Sequence, residues 1–218
     1  MRFIVLLLCA VRCFAVDQEQ IIASWLGKQT NVQTWAADFV QTRSLKALAQ
    51  PLVSTGRVWF GAPQNFRWEL GNNQTVAIRS NETMMVIYPR LKRAEKYDFA
   101  ASGPGEWKDT LSLLQSGFPR SRTEIDQQFK ILSLVETNHL YELALQPRST
   151  GARKMMPEIK VFISTNSSLA GTELVFVDGS SMRNDFQNVR TNAPVEGKFD
   201  LTIPPEYKLV EPLKSARK

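Results

Sequence analysis

The chain has 218 residues, of which 27 are Lys or Arg and 21 are Asp or Glu, giving a formal net charge of +6. This length can bury enough apolar surface to form one domain. The basic residues are scattered rather than gathered in one stripe, which argues against nucleic-acid binding and leaves open a modest attraction to an acidic partner or a lipid head group.

Residues 1–15 have the pattern of a secretory signal peptide. A positively charged start is followed by the apolar run Phe3–Val11, and the small Ala15 comes before polar sequence. We expect cleavage after Ala15, with Ala10 as an alternative, and a soluble periplasmic protein in which residues 16–218 form a single domain. Both cysteines lie in the leader and neither follows a small residue, so neither suits a lipid-modified N-terminus.

Two helical segments are predicted next. Asp17 suits an N-cap for a helix over residues 17–30, where the apolar residues recur at helical spacing: Ile21, Ile22, Trp25 and Leu26. Between Val32 and Gln41, Trp35 and Phe39 lie four residues apart, which predicts a second, shorter helix.

The rest of the chain is dominated by short apolar runs separated by turn signals, which indicate strands. We predict eleven: 54–60, 65–70, 75–79, 83–88, 92–98, 129–135, 140–146, 158–164, 172–177, 182–189 and 198–201. This pattern favours an α+β protein with one large, curled antiparallel sheet. A helix predicted at Glu106–Gln115 interrupts the strands, and such amphipathic helices would cover the apolar face of the sheet.

The most informative segment is Gly56–Trp68, which has the pattern strand, Pro-containing turn, strand. Its spacing, Gly-x-x-Trp-Phe-x-x-Pro-x-x-Phe-x-Trp, occurs with three further motifs: Phe39-Val-Gln41, Met84–Pro89 and Phe199–Pro205. Together they resemble the periplasmic outer-membrane lipoprotein carrier family, LolA, over about residues 17–210.

The resemblance implies an incomplete β-barrel whose helical cover encloses a hydrophobic cavity for acyl chains. The expected cavity residues are Trp59, Phe66, Trp68, Met85, Ile87 and Tyr88, and the expected lid residues are Ile22, Trp25, Leu26, Trp107 and Leu111. Without the resemblance, ordinary core packing would be the preferred interpretation of the cavity side chains. Strand alternation puts Phe66 and Trp68 on one face, with Arg67 on the other.

One motif position departs from the family. LolA-like proteins often carry an Arg directly before the turn proline, where it hydrogen-bonds the helical cover, whereas Ala62 precedes Pro63 here. Control of the lid therefore stays open between two alternatives. One is a set of apolar contacts from residues such as Trp25, and the other is a polar contact from Arg67.

Residues for catalysis or metal binding are scarce. The single histidine, His139, follows Asn138 at a predicted turn. Removal of the leader would leave no cysteine, so neither a Ser–His–acid triad nor a Cys–His pair is easily assembled. We therefore predict a protein that is not an enzyme and that needs no cofactor or metal.

The resemblance thus predicts a monomeric periplasmic carrier that moves lipoproteins from an inner-membrane release complex to an outer-membrane acceptor. One alternative is a carrier of another amphiphile, such as a glycolipid or a polyene lipid. Another is a module that senses lipid or lipoprotein stress. A secreted hydrolase is disfavoured because the catalytic set is missing.

Overall fold

The structure is a computed structural model that describes residues 17–72, 74–98 and 119–212. The predicted signal peptide and the predicted helix Glu106–Gln115 lie outside these residues, and so do the lid candidates Trp107 and Leu111.

The first helix, α1, runs from Gln18 to Gln29, as the sequence predicts. Asp17 caps it, because its Oδ1 accepts a hydrogen bond from the Gln20 N–H at 3.2 Å. This bond satisfies one of the donors that a helix leaves unpaired at its start.

Twelve strands form one sheet within the described residues. They are β1 Thr34–Ser44, β2 Leu52–Gly61, β3 Asn65–Leu70, β4 Thr75–Ser80, β5 Thr83–Tyr88, β6 Arg93–Asp98, β7 Phe129–Thr137, β8 Leu140–Pro147, β9 Glu158–Ser164, β10 Leu169–Val175, β11 Ser181–Thr191 and β12 Lys208–Val210. Their order across the sheet is β12-β6-β5-β4-β3-β2-β1-β11-β10-β9-β8-β7. Only β12 and β6 pair in parallel; the other neighbours are antiparallel. The predicted single, curled, largely antiparallel sheet is confirmed.

The helix predicted between Val32 and Gln41 is wrong, because this segment forms strand β1. Trp35 and Phe39 are four residues apart, and four is a multiple of the strand period of two. Their spacing therefore puts them on one side of a strand as well as of a helix. The β-branched Val40 and Thr42 are typical of a strand and decide between the two.

The strand predicted at 198–201 is also wrong, because these residues form turn and coil. The Asp200 Oδ1 accepts hydrogen bonds from Thr202 N–H at 2.9 Å and from Thr202 Oγ1 at 2.7 Å. Such local bonds compete with strand pairing. The last strand is β12 instead.

Two short helices, α2 Arg122–Gln128 and α3 Thr150–Met155, were not predicted, nor was the 3-10 turn Pro89–Leu91. The start of α2 carries a local signal. The Ser121 Oγ accepts from Glu124 N–H at 3.2 Å, and Glu124 Oε2 accepts from the Arg120 N–H at 2.8 Å. A Ser followed three residues later by Glu is a recognised helix start, so the sequence contains a pattern that predicts the start of α2.

The sheet has two distinct faces, because cross-strand partners share a face. The inner face carries Val58, Trp68 and Ala77, whereas the outer face carries Trp59 and Arg67. The main core lies between the inner face and the helices. Its largest fully buried members are Ile22, Trp25, Phe39, Val58, Ile125, Phe129, Leu143, Leu145, Val161 and Ile163.

The C-terminal segment crosses the outer face. The Lys198 ammonium lies 4.6 Å from the centre of the Trp59 ring, and the Lys198 carbonyl accepts from Arg67 Nη1 at 3.4 Å. Phe199 packs against Gly61, where an added Cβ would lie 2.7 Å from its ring. Farther along, β12 pairs with β6 at the edge of the sheet. The segment therefore joins β2 and β3 to the distant edge.

Candidate ligand-binding cavity

A cavity of about 350 Å³ lies on the inner face of the sheet. Strands β1 to β5 contribute one part of its wall and strands β8 to β11 the other, so the curl of the sheet creates it. Its apolar lining consists of Phe60, Phe66, Trp68, Leu70, Ala77, Met84, Leu145, Ile159, Val161, Leu169, Leu174, Met182 and Phe186. The volume is near the lower end of the range of about 300–1,000 Å³ for small-molecule sites.

Aromatic contacts fix the wall formed by β1 to β3. The rings of Phe39 and Trp68 pack at a tilt of 34° with centroids 4.1 Å apart, and those of Phe60 and Phe66 are 6.1 Å apart. Gly56 makes the first contact fit, because an added Cβ would lie 2.2 Å from the Phe39 ring and 2.3 Å from the Glu69 carbonyl. Gly56, at the start of the motif, therefore leaves room for Phe39 to pack against Trp68, at the end of the motif.

A polar cluster lies in the wall formed by β1, β10 and β11. Gln41 and Asn184 are each 3% exposed and are direct partners across β1 and β11. The Gln41 Nε2 donates to Asn184 Oδ1 at 3.0 Å, and Asn184 Nδ2 donates to Thr172 Oγ1 at 3.4 Å. Arg43, two residues beyond Gln41, lines the cavity and is exposed, so the cavity reaches the surface there.

The structure brings only part of the predicted site together. Phe66 and Trp68 line the cavity. Met85 and Ile87 instead face away from it, because they pair with Ile78 and Val76 on the outer face. Trp59 lies on that face too, opposite Arg67. Their assignment to the cavity is therefore corrected.

Tyr88 lies on the inner face, opposite Arg93, but outside the cavity wall. Sequence reasoning missed Met84, which lines the cavity in place of its neighbour Met85. The signal was available in the turn between β4 and β5. Ser80 pairs with Thr83 across a two-residue loop, and such a loop fixes the register and hence the faces.

The lid candidates that the structure describes belong to the core. Ile22, Trp25 and Leu26 are 2%, 0% and 7% exposed and pack in the main cluster. None of the three lines the cavity. Helix α1 thus covers the inner face beside the cavity, and any motion of α1 as a lid is a proposal.

Ala62, which stands where the family often carries an arginine, lies at a second, smaller cavity of about 80 Å³ beside the turn between β2 and β3. Ala62 lines it together with Arg120, which comes from the segment before α2. The Arg120 Nη2 donates to the Val32 carbonyl at 3.2 Å. Arg67, the polar latch considered above, instead binds Glu69 at 2.7 Å on the outer face, so it does not reach the helical cover.

A hydroxyl and a carboxylate adjoin the aromatic end of the cavity. Tyr97 packs with Phe66 and Met84, and its hydroxyl donates to Glu95 Oε2 at 2.7 Å. Burial raises the pKa of Tyr97 strongly, and the bond to Glu95 raises it further. Its phenol therefore stays protonated at neutral pH.

The described residues offer little for catalysis. They contain no group of three or more His, Cys, Asp or Glu side chains that could hold a metal ion. His139 is exposed and, with Asn138, has a positive φ in the two-residue turn between β7 and β8, which is the conformation that such hairpin turns need. Among the described helices, none is long and apolar enough to cross a membrane.

Fold and cavity together define a protein whose curled, open sheet encloses an apolar chamber beneath a partial helical cover. The chain belongs to the family described as outer membrane lipoprotein carrier protein LolA, whose model matches residues 30–202. This match confirms the resemblance given by the four motifs. No curated protein sequence matches the chain.

Three solved structures resemble this chain at low sequence identity, and the first has a TM-score high enough to indicate the same fold. An uncharacterized conserved protein from Thermus thermophilus has a TM-score of 0.51 at 8% identity, covering 88% of this chain and 98% of that one. A LolA superfamily protein from Nitrosomonas europaea has 0.44 at 8%, covering 85% and 98%. The lipoprotein LppX from Mycobacterium tuberculosis has 0.42 at 10%, covering 83% and 97%.

Proposed function

We propose that the protein is a periplasmic carrier that binds the acyl chains of lipoproteins in the cavity and moves them from the inner to the outer membrane. The observation that carries this proposal is the cavity itself, a chamber of about 350 Å³ walled mainly by apolar side chains. Burying an acyl chain there gains about 0.8 kcal/mol per methylene, and no group in the wall has to react.

Membership of the LolA family supports the direction of transport and the kind of cargo. It also supports the proposed partners, an inner-membrane release complex and an outer-membrane acceptor. Either partner would have to reach the mouth of the cavity near Arg43. Exposed apolar side chains lie at this end of the sheet, namely Leu48, Leu52, Val53 and Val177, and provide surface for such contacts.

A second candidate is a carrier of a smaller amphiphile. The volume of the cavity favours it, because about 350 Å³ is near the lower limit for a small-molecule site. Mass spectrometry of molecules that co-purify with the protein from its native cell envelope separates the two. Recovered lipoproteins support the first proposal, and recovered lipids alone support the second.

Acyl binding in this cavity can be tested with adjacent methionines on opposite faces. Met84 lines the cavity and Met85 does not, yet they are 7% and 5% exposed. Met84→Gln and Met85→Gln should therefore cost similar stability, about 1–3 kcal/mol, because each buries an amide in apolar surroundings. Only Met84→Gln should weaken binding of a fluorescent acyl probe, by about tenfold, since it alone puts the amide against the chain.

Urea unfolding and probe titration of both variants and the unchanged protein measure these effects. Equal loss of probe affinity in both variants would assign these side chains to ordinary core packing. Failure of the unchanged protein to bind any acyl probe would contradict the proposed function itself.

A further inference from the structure

The cavity has two chemically different regions. Phe66, Trp68 and Met84 form an aromatic and apolar region on β3 and β5, whereas Gln41, Asn184 and Arg43 form a polar region on β1 and β11. A wall of this kind distinguishes the two ends of an amphiphile, because each end is more stable in its own surroundings.

The buried amides leave hydrogen-bonding capacity that faces the cavity. The Gln41 Nε2 carries two N–H groups; one donates to Asn184 Oδ1 at 3.0 Å, and this nitrogen donates to no other residue in the described ranges. A ligand oxygen in the cavity would accept a hydrogen bond from the second N–H of Gln41.

Arg43 adds a positive charge to the same region. It lies on the same face of β1 as Gln41, about 7 Å farther along the strand. No hydrogen bond or ion pair involves its side chain within residues 17–72, 74–98 and 119–212. The part of the cavity wall that the structure describes includes no Asp or Glu, so this guanidinium is its one formal charge.

We propose that the cavity binds its amphiphile in one orientation, with the acyl chain against Trp68 and Met84 and the oxygen atoms of an anionic head group at Arg43 and Gln41. A carboxylate and a phosphate share the required chemistry, since both are negatively charged hydrogen-bond acceptors that match a guanidinium. Neutral ester carbonyls satisfy the hydrogen bonds without the charge. The inference rests on the proposed acyl-binding function and adds the chemistry of the head group.

The test compares competitors of equal chain length against a fluorescent acyl probe. They are a fatty acid, an acyl-chain phosphate, the fatty-acid methyl ester and an alkyl trimethylammonium. We expect the anions to bind about fivefold more tightly than the ester, because Arg43 is exposed and its ion pair is screened by solvent. The ammonium should bind most weakly. The two anionic competitors show whether a carboxylate or a phosphate is the preferred source of the charge.

Variants then assign the preference to residues. Arg43→Gln should bring the anions to within twofold of the ester, because glutamine still donates a hydrogen bond but carries no charge. Arg57→Gln is the matched control, because Arg57 is an exposed arginine that binds Glu69 on the outer face of neighbouring β2. Gln41→Met, which keeps the size of the side chain, should weaken ester and anions alike by about fivefold, the effect of one hydrogen bond.

The outcomes separate the two proposals. If the unchanged protein binds the ester but shows no preference for anions, or if Arg43→Gln weakens all competitors equally, the orientation is wrong and acyl binding still stands. If no competitor binds, the proposed function fails and this inference fails with it.

Discussion

Tryptophans show how position decides the role of a residue in this protein. Trp68 lines the cavity on the inner face, Trp59 lies under Lys198 on the outer face, and Trp25 is fully buried in the core. Strand alternation correctly predicted that Phe66 and Trp68 share a face. Alternation alone did not assign Trp59 or Met85, because it orders residues within one strand, whereas their faces also depend on the pairing between strands, which the two-residue loop supplies for β4 and β5.

Trp25 illustrates the consequence for stability. Its ring is 0% exposed, and its Nε1 is buried without an acceptor among the described residues. Trp25→Ala should lower the free energy of unfolding by about 3–5 kcal/mol, because it empties a core site. Both substitutions remove the unpaired donor, and Trp25→Phe should cost clearly less because phenylalanine still fills most of the site. Urea unfolding measures both, and equal losses would show that the volume of the buried ring is not what Trp25 contributes to stability.

The helices and strands differ in how well the local sequence predicts them. Helix α1 was predictable because Asp17 and the apolar spacing agree. Strand β1 was not, since the spacing of Trp35 and Phe39 fits both kinds of structure. The C-terminal segment was misread because Phe199 is held by packing on Gly61 and by no strand partner within the described residues. Tertiary contacts of this kind leave no local pattern.

The packing of Phe199 on Gly61 leads to a prediction about strand β12. Phe199→Ala should release the segment from the outer face and speed amide hydrogen exchange in β12, because Phe199 anchors the chain at Gly61 before β12 pairs with β6. Acyl-probe affinity should stay within twofold, since Phe199 does not line the cavity. Mass spectrometry measures this hydrogen exchange. Unchanged protection of β12 in the variant would show that β12 is held by its pairing with β6 alone.

At the scale of the whole molecule, the sequence predicted the class of fold and two residues of the cavity wall. The remainder of the wall comes largely from strands β8 to β11, which lie far along the chain from the motif. Ile159, Val161 and Leu174 carry ordinary strand patterns, so no local signal separates a cavity wall from a filled core. The distinction arises only when the sheet curls and both halves face one space.

Two tyrosines on neighbouring strands of the sheet, Tyr97 on β6 and Tyr88 on β5, set the pH dependence of stability that we expect. Burial and Glu95 raise the pKa of Tyr97, and burial also raises the pKa of Tyr88. A raised pKa means that the native state favours the protonated phenol more than the unfolded chain does. The stabilisation is fully present below the unfolded value of about 10 and is lost as pH rises above it.

These tyrosines should therefore leave the free energy of unfolding independent of pH between about pH 6 and 9 and lower it above about pH 10. Tyr97→Phe should reduce that alkaline fall, because phenylalanine keeps the ring against Phe66 and Met84 and has no proton to lose. Tyr141→Phe, on β8 in the other half of the sheet, is the matched control and should leave the alkaline fall in place. Urea unfolding at a series of pH values measures this. An alkaline fall of the same size in both variants would mean that the Tyr97–Glu95 pair does not control stability at high pH.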